Sequence, residues 1–338
     1  MSATIEMECV SFSYGTATDG AYALKDIDLS IEEGTFVGLI GPSGAGKSTL
    51  ASAITGAIPH HYRGRLFGST LVAGLDTCEA SLTDIAKVAG SVLQDIDAQM
   101  VASVVEDELL FGLENFGIDH REIEGRIASA LDAVGIADLR HREIATLSGG
   151  QKQKVAIAAI LAMAPRVIVM DEPTSALDPV SARDVFEVLR RAKELTGMTV
   201  ILIEQTVALL AEYCDRVVVI DQGRIALDGT PTDVFSHGET LRAIGVDTPR
   251  TVRISNSLAE AGLAPSDSPA LTLDGAESLV AGILAPGLSE SSPIVPCALG
   301  DGPDARNAAD ERPIIVDVAG AAYSYGTGQA GIEGINLT

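Results

Sequence analysis

The sequence contains no tryptophan, only 4% aromatic residues, and four cysteines that never fall at C-x-x-C spacing. Cys9, Cys78, Cys214 and Cys297 therefore argue against a disulfide framework or a cysteine zinc site, and are expected as buried thiols. With so few rings, the core has to be built from Ala, Val, Ile and Leu. Hydrophobic residues make up 46% of the chain, enough for a packed domain. Basic residues are also scarce: 23 stand against 47 acidic ones, for a net charge of -24. Such a chain repels phosphate backbones at long range, and without a local basic patch it offers nucleic acid no surface. No apolar run reaches the roughly 20 residues that a spanning helix needs. The longest candidate, from Val155 to Pro165, follows Lys152 and Lys154. The N-terminus lacks the basic and apolar regions of a signal peptide. The expectation is a protein made and kept in the cytoplasm.

What is present is an alternation of short apolar runs and helical patterns. Strands are expected at 35–40, 90–93, 166–170, 199–203 and 216–220, nearly all apolar, as in a parallel sheet buried on both faces. Helices are expected at 47–54, 121–134, 150–163 and 179–195. From Val105 to Met163 no strand is convincing, so a mainly helical insert, over about 95–163, interrupts the α/β core. The domain runs over 1–245. An amphipathic helix is expected within 246–264, at about 249–262. From 265 to 312 the chain is rich in Ala, Gly, Ser, Pro and Asp, which reads as a weakly ordered linker.

The segment 313–338 repeats the start of the chain. Ala322-Tyr323-Ser324-Tyr325-Gly326 echoes Ser11-Phe12-Ser13-Tyr14-Gly15. The run from Gly331 to Thr338 then echoes the run from Ala23 to Ser30, in the same order. The expectation is that the chain stops inside the first strands of a second copy of the domain. Such a stump, lacking its sheet partners, is expected to be poorly ordered.

Three motifs carry chemistry. Gly41-Pro42-Ser43-Gly44-Ala45-Gly46-Lys47-Ser48 fits the P-loop pattern, between an expected strand and an expected helix that continues with Thr49. Glycines let the backbone curl so that several N–H groups face one anion, and the helix N-terminus adds a favourable dipole. Lys47 is placed to reach the β- and γ-phosphates, and the Ser48 hydroxyl to bind Mg²⁺. The run from Val167 to Met170 ends in Asp171 and Glu172, two carboxylates at the C-terminal rim where open α/β sheets bind ligands. Asp171 is the candidate Mg²⁺ holder and Glu172 the candidate general base. The third motif is Leu147-Ser148-Gly149-Gly150-Gln151, a Gly-Gly helix start suited to capping a phosphate.

That third motif resembles the signature sequence of ATP-binding cassette proteins. The resemblance covers about Thr4 to Gly245. It implies a P-loop α/β fold with a RecA-like core, an antiparallel β subdomain and a helical subdomain, working with ATP and Mg²⁺. It also implies head-to-tail pairing, in which residues 147–151 act in trans on the phosphate held by a second cassette. Tyr14 resembles the aromatic that stacks on adenine. Gln94 resembles the glutamine that touches Mg²⁺ and the attacking water, and the run from Ser175 to Asp178 resembles the loop that crosses the dimer interface. One position departs. Gln205 stands where the family usually carries a histidine that contacts the γ-phosphate. Gln still donates a hydrogen bond but cannot become cationic. This half is therefore expected to bind ATP well and hydrolyse it slowly.

The run from Val92 to Asn115 is similar to the energy-coupling-factor branch of importers. That similarity implies a transmembrane coupling subunit, a substrate-binding membrane subunit, and uptake of a vitamin, a vitamin precursor or a metal ion. It places the protein on the inner face of the membrane. Asp95, Asp97, Glu106, Asp107 and Glu108 would suit arginines on a coupling helix, or else simply favour helix starts. The alternative is a tandem-cassette ATPase of the ribosome, which the acidic, Pro- and Gly-rich linker disfavours. His60 and His61 lack further ligands and read as surface residues.

Overall fold

The computed structural model describes residues 3–15, 22–264, 269–284, 318–323 and 332–337. In chain order, the strands of the first unit are β1 (Ala3–Tyr14), β2 (Leu24–Glu32), β3 (Phe36–Ile40), β4 (Gly64–Val72), β5 (Leu75–Asp76), β6 (Ala89–Val92), β7 (Val167–Asp171), β8 (Thr199–Ile203), β9 (Arg216–Asp221) and β10 (Arg224–Gly229). The apolar runs become a six-stranded sheet of order β10-β9-β3-β8-β7-β6, parallel except for β10. Both faces are covered, as expected. Val37, Leu39, Ile201 and Val218 point into one cluster, while Phe36, Ile168, Val200 and Val217 point into the other. Each such fully buried aliphatic side chain contributes about 1.5–3 kcal/mol.

The first cluster lies beneath a second, antiparallel sheet of order β2-β1-β4-β5. The second cluster takes in the helical insert: Val105–Asn115, His120–Ala133 and Gly149–Ala162. Within that insert the β-structure among the described residues is one isolated bridge, Val104 to Glu143. The core strands and helices fall within a residue or two of their expected ends.

Two expectations are corrected. The expected linker contains a helix, Leu273–Leu284. The segment before it docks on the helix Arg250–Glu260: Thr251 Oγ1 donates to the Leu271 carbonyl at 3.1 Å, and Ser255 Oγ accepts the Ala270 N–H at 3.0 Å. These tethers satisfy the backbone just ahead of the helix, and composition alone does not reveal them. The remainder of that linker, 265–268 and 285–312, lies outside the described residues. Of the thiols, only Cys214 is buried; Cys9 and Cys78 are exposed on the antiparallel sheet and its turn, and Cys297 lies outside the described residues.

In the second unit, 288–338, the described residues form β11 (Val318–Tyr323) and β12 (Ile332–Leu337), an antiparallel pair, and the rest of the expected repeat lies outside the described residues. The pairing joins Val318 to Leu337, Ala321 to Ile335 and Tyr323 to Ile332. The positions that the repeat equates with them in β1 and β2 pair as Met7 to Leu29, Val10 to Ile27 and Phe12 to Leu24. The two registers are the same.

Candidate functional site

Four neighbouring parallel strands, β3, β8, β7 and β6, deliver the candidate residues from their C-terminal ends. Strand β3 runs into the P-loop. Gly41 has φ 154° and Gly46 φ 111°. A Cβ on Gly41 would sit 2.1 Å from the Ile220 carbonyl oxygen, and one on Gly46 would sit 2.5 Å from that of Ala23. Only glycine lets the loop curl against those backbones. A turn after β9 braces it: the Gly223 N–H donates to the Ala45 carbonyl at 2.9 Å. The helix Lys47–Ile54 follows directly. Lys47, 9% exposed, folds over the loop and donates to the carbonyls of Gly41 at 2.8 Å and Pro42 at 3.0 Å. Burial lowers its ammonium pKa, opposed by the nearby charges of Glu172 and Asp171.

Strand β7 ends at Asp171. Burial raises the pKa of this carboxyl, against a hydrogen bond from the Ser48 hydroxyl; Glu172 adds to the rise and Lys47 opposes it. Ser48 and Asp171 thus meet as hard oxygen donors beside the P-loop, a set that suits Mg²⁺. Glu172 follows with φ 48°, a left-handed conformation uncommon for a residue of its size. Its carboxylate is gripped from both sides. Gln205, beyond β8, donates from Nε2 to Oε1 at 2.6 Å, and Gln94, two residues beyond β6, donates from Nε2 to Oε2 at 3.2 Å. All three proposed catalytic side chains therefore converge. A cavity of about 300 Å³ opens between Pro42, Lys47, Gln205 and Val246.

Tyr14 stands at the end of β1, 43% exposed, with its hydroxyl 3.0 Å from Thr49 Oγ1. Its ring meets Phe12 and Tyr62 edge-on, at 4.8 and 6.1 Å between centroids.

The other motif residues are occupied locally. Ser148 caps the helix Gly149–Ala162 in a capping box: its Oγ accepts the Gln151 N–H at 3.3 Å, and Gln151 Oε1 accepts the Ser148 N–H at 3.0 Å. Asp178 caps the helix Pro179–Thr196, accepting from the N–H groups of Val180 and Ser181 and from the Ser181 hydroxyl. The acids after Gln94 follow the helix-start reading: Asp95 and Asp97 open one short helix, and Glu106, Asp107 and Glu108 lie in the first turn of the helix Val105–Asn115. Asp97 pairs with Lys152 at 2.6 Å, and Glu106 with Arg140 at 2.5 Å and His141 at 2.9 Å. Asp95 caps a short helix through the Ala98 N–H, and buried Glu108 accepts the N–H groups of Val101 and Ala102. Of the five, only Asp107 is exposed without a partner among the described residues. Four of the five acids thus build the insert, because its loops need counter-charges and caps.

Sequence reasoning missed Glu204 and Thr174, which join the Glu172 loop to Gln205. The available signal was an ionisable residue closing an otherwise apolar strand. It also missed the bracing role of Gly223.

Residues 24–175 match the ABC transporter family model. An energy-coupling factor transporter ATP-binding protein, EcfA1 of Caldanaerobacter subterraneus, is 42% identical over 273 residues, covering 79% of this chain and 95% of that one. The chain belongs to the ABC transporter ATPase family. Two solved structures agree with the assignment. CbiO1 of Clostridium perfringens, described as part of the ABC transporter complex cbiONQ, has a TM-score of 0.64 and 31% identity, covering 74% of this chain and 97% of that one. The cassette MJ0796, a dimer in a post-hydrolysis state with ADP and Pi, has a TM-score of 0.58 and 25% identity, covering 67% and 98%. The cassette is thus an ATP-binding, ATP-hydrolysing subunit. Among its described residues no helix is long and apolar enough to cross a membrane.

Proposed function

We propose that this cassette energises an energy-coupling-factor importer. In this reading it works at the cytoplasmic face of the membrane with a transmembrane coupling subunit and a membrane subunit that binds a vitamin, a vitamin precursor or a metal ion. The observation that carries the catalytic part is the convergence of Gln94 and Gln205 on Glu172, next to Ser48, Asp171 and Lys47. Glu172 acts as the general base on the attacking water, with the two glutamine amides orienting it. Residues 41–49 hold the phosphates, and Tyr14 stacks on the adenine. Ser48, Asp171 and Gln94 hold Mg²⁺, which supplies charge neutralisation to the phosphates when bound.

The transport part is supported by relatives named for transporters, which lend the ribosomal alternative no support. Leu93, Val101 and Phe111 are exposed apolar residues around the Gln94 segment, and with Asp107 they give a coupling helix a face to meet. Residues 147–151 act in trans on a second cassette. The equal registers of β1–β2 and β11–β12 support residues 313–338 as the start of that cassette within the same polypeptide. The test is co-purification of the natural full-length protein with membrane subunits, followed by nucleotide-driven uptake in vesicles. Recovery with ribosomes, or uptake that ignores Glu172→Gln, overturns the reading.

A further inference from the structure

The strand that leads to Gln205 also buries a carboxylate. Glu204 is 3% exposed, and among the described residues no Lys, Arg or His pairs with it. Its partners are three neutral donors. Oε1 accepts the Thr174 N–H at 3.0 Å and also the Thr174 hydroxyl, and Oε2 accepts the Gln205 N–H at 3.1 Å. Burying a carboxylate without a counter-ion is costly even when its oxygens are satisfied. Packing does not require it, because the preceding residues of β8 are all buried, four of the five being aliphatic.

The carboxylate makes a link. Thr174 lies two residues after Glu172, and Gln205 is the next residue after Glu204. One buried group therefore ties the turn that carries Glu172 to the backbone of the residue whose amide donates to Glu172. The Glu172 N–H, bonded to the Ile203 carbonyl at 2.9 Å, closes the ring from the other side. Such a ring can hold Glu172 in its left-handed conformation. We propose that Glu204 is a positioning residue for hydrolysis, fixing Gln205 and the Glu172 turn at the separation where both side chains address the water. This rests on the reading of Glu172 as the base.

The test uses the full-length protein and compares Glu204→Ala, Gln205→Ala, their double variant and Glu204→Gln. Single-turnover hydrolysis and nucleotide affinity are measured for each. Glu204→Ala is expected to lower hydrolysis about 10- to 100-fold, the scale of a misplaced reacting group, with affinity changed less than about twofold. The double variant is expected to lose less than the product of the two single losses, because Glu204 acts in part through Gln205. Glu204→Gln, which keeps one acceptor, is expected to recover part of the rate. Normal turnover in Glu204→Ala, an unaffected Gln205→Ala, or multiplicative losses in the double variant would overturn the proposal. If Glu204→Ala fails to fold, Thr174→Val deletes one donor and keeps the backbone bond. It should slow hydrolysis about severalfold at constant affinity, and an unchanged rate overturns the proposal equally. Glu172→Gln is run alongside. Normal turnover there sinks the base assignment and this inference together. A dead Glu172→Gln beside a normal Glu204→Ala sinks only this inference.

Discussion

Two groups of carboxylates in this molecule are held in opposite ways. Asp171, Glu172 and Glu204 at the strand ends contact hydroxyls, amides and backbone N–H groups, while Lys47 acts on the first two through space. In the helical insert, Asp97, Glu106 and Glu124 contact Lys152, Arg140 and His141. A carboxylate already matched by a side-chain cation is committed to scaffolding. Asp171 and Glu172, held by neutral donors beside the P-loop, keep their charge available to a cation or a proton that arrives with a ligand, whereas buried Glu204 and Glu108 spend theirs on backbone N–H groups. The net charge of -24 therefore says little by itself about where the protein meets partners.

The hardest blow to this contrast would be a strand-end acid that proves dispensable. Glu172→Gln is expected to cut turnover by about 10²–10⁴-fold while nucleotide still binds, as for loss of a general base. Phosphate-release and equilibrium-binding assays on the same sample check both halves. Glu108→Ala, in the insert, should instead lower unfolding free energy by about 1–3 kcal/mol, because two backbone N–H groups lose their buried acceptor. Urea titration measures it, and an unchanged midpoint would remove Glu108 from the scaffold.

Gln205→His restores a side chain that can become cationic, and turnover should rise about severalfold, less than the full value of a transition-state donor. An unchanged rate would show that the Gln205 amide already does all that the position requires.

The smallest effect separates the groups by pH. Burial raises the Asp171 carboxyl pKa, so Asp171 takes up its proton at a higher pH than an exposed aspartate does. The Glu106 carboxyl pKa is lowered, first by its hydrogen bond from Arg140. Its stabilising contribution is present above the unfolded-state pKa and is lost only as pH falls through the lowered folded value. On acidification, Mg²⁺-dependent nucleotide affinity should therefore decline before the insert loosens. Affinity and far-ultraviolet circular dichroism followed over one pH series test the order.

The P-loop, the Asp171-Glu172 pair and the central strands were legible because each is encoded within a few consecutive residues. The use of the insert acids was not. Asp97 and Lys152 are 55 residues apart, and Glu106 and Arg140 are 34 apart. The helix Leu273–Leu284 was missed for a similar reason: the segment that leads into it is tethered by side chains 15 and 20 residues away.

The sequence by itself determined where the phosphate-binding loop curls, since only glycine tolerates the required φ at Gly41 and Gly46. It also determined which strands are buried, since an apolar run with no polar face has to be covered on both sides. Only the tertiary structure decided what holds Glu172. Its two amide donors and the Glu204 tether come from the ends of two other strands, β6 and β8, and the order β8-β7-β6 is what sets both beside the end of β7. A hydrogen bond forms by proximity in space, and separation along the chain does not encode that proximity.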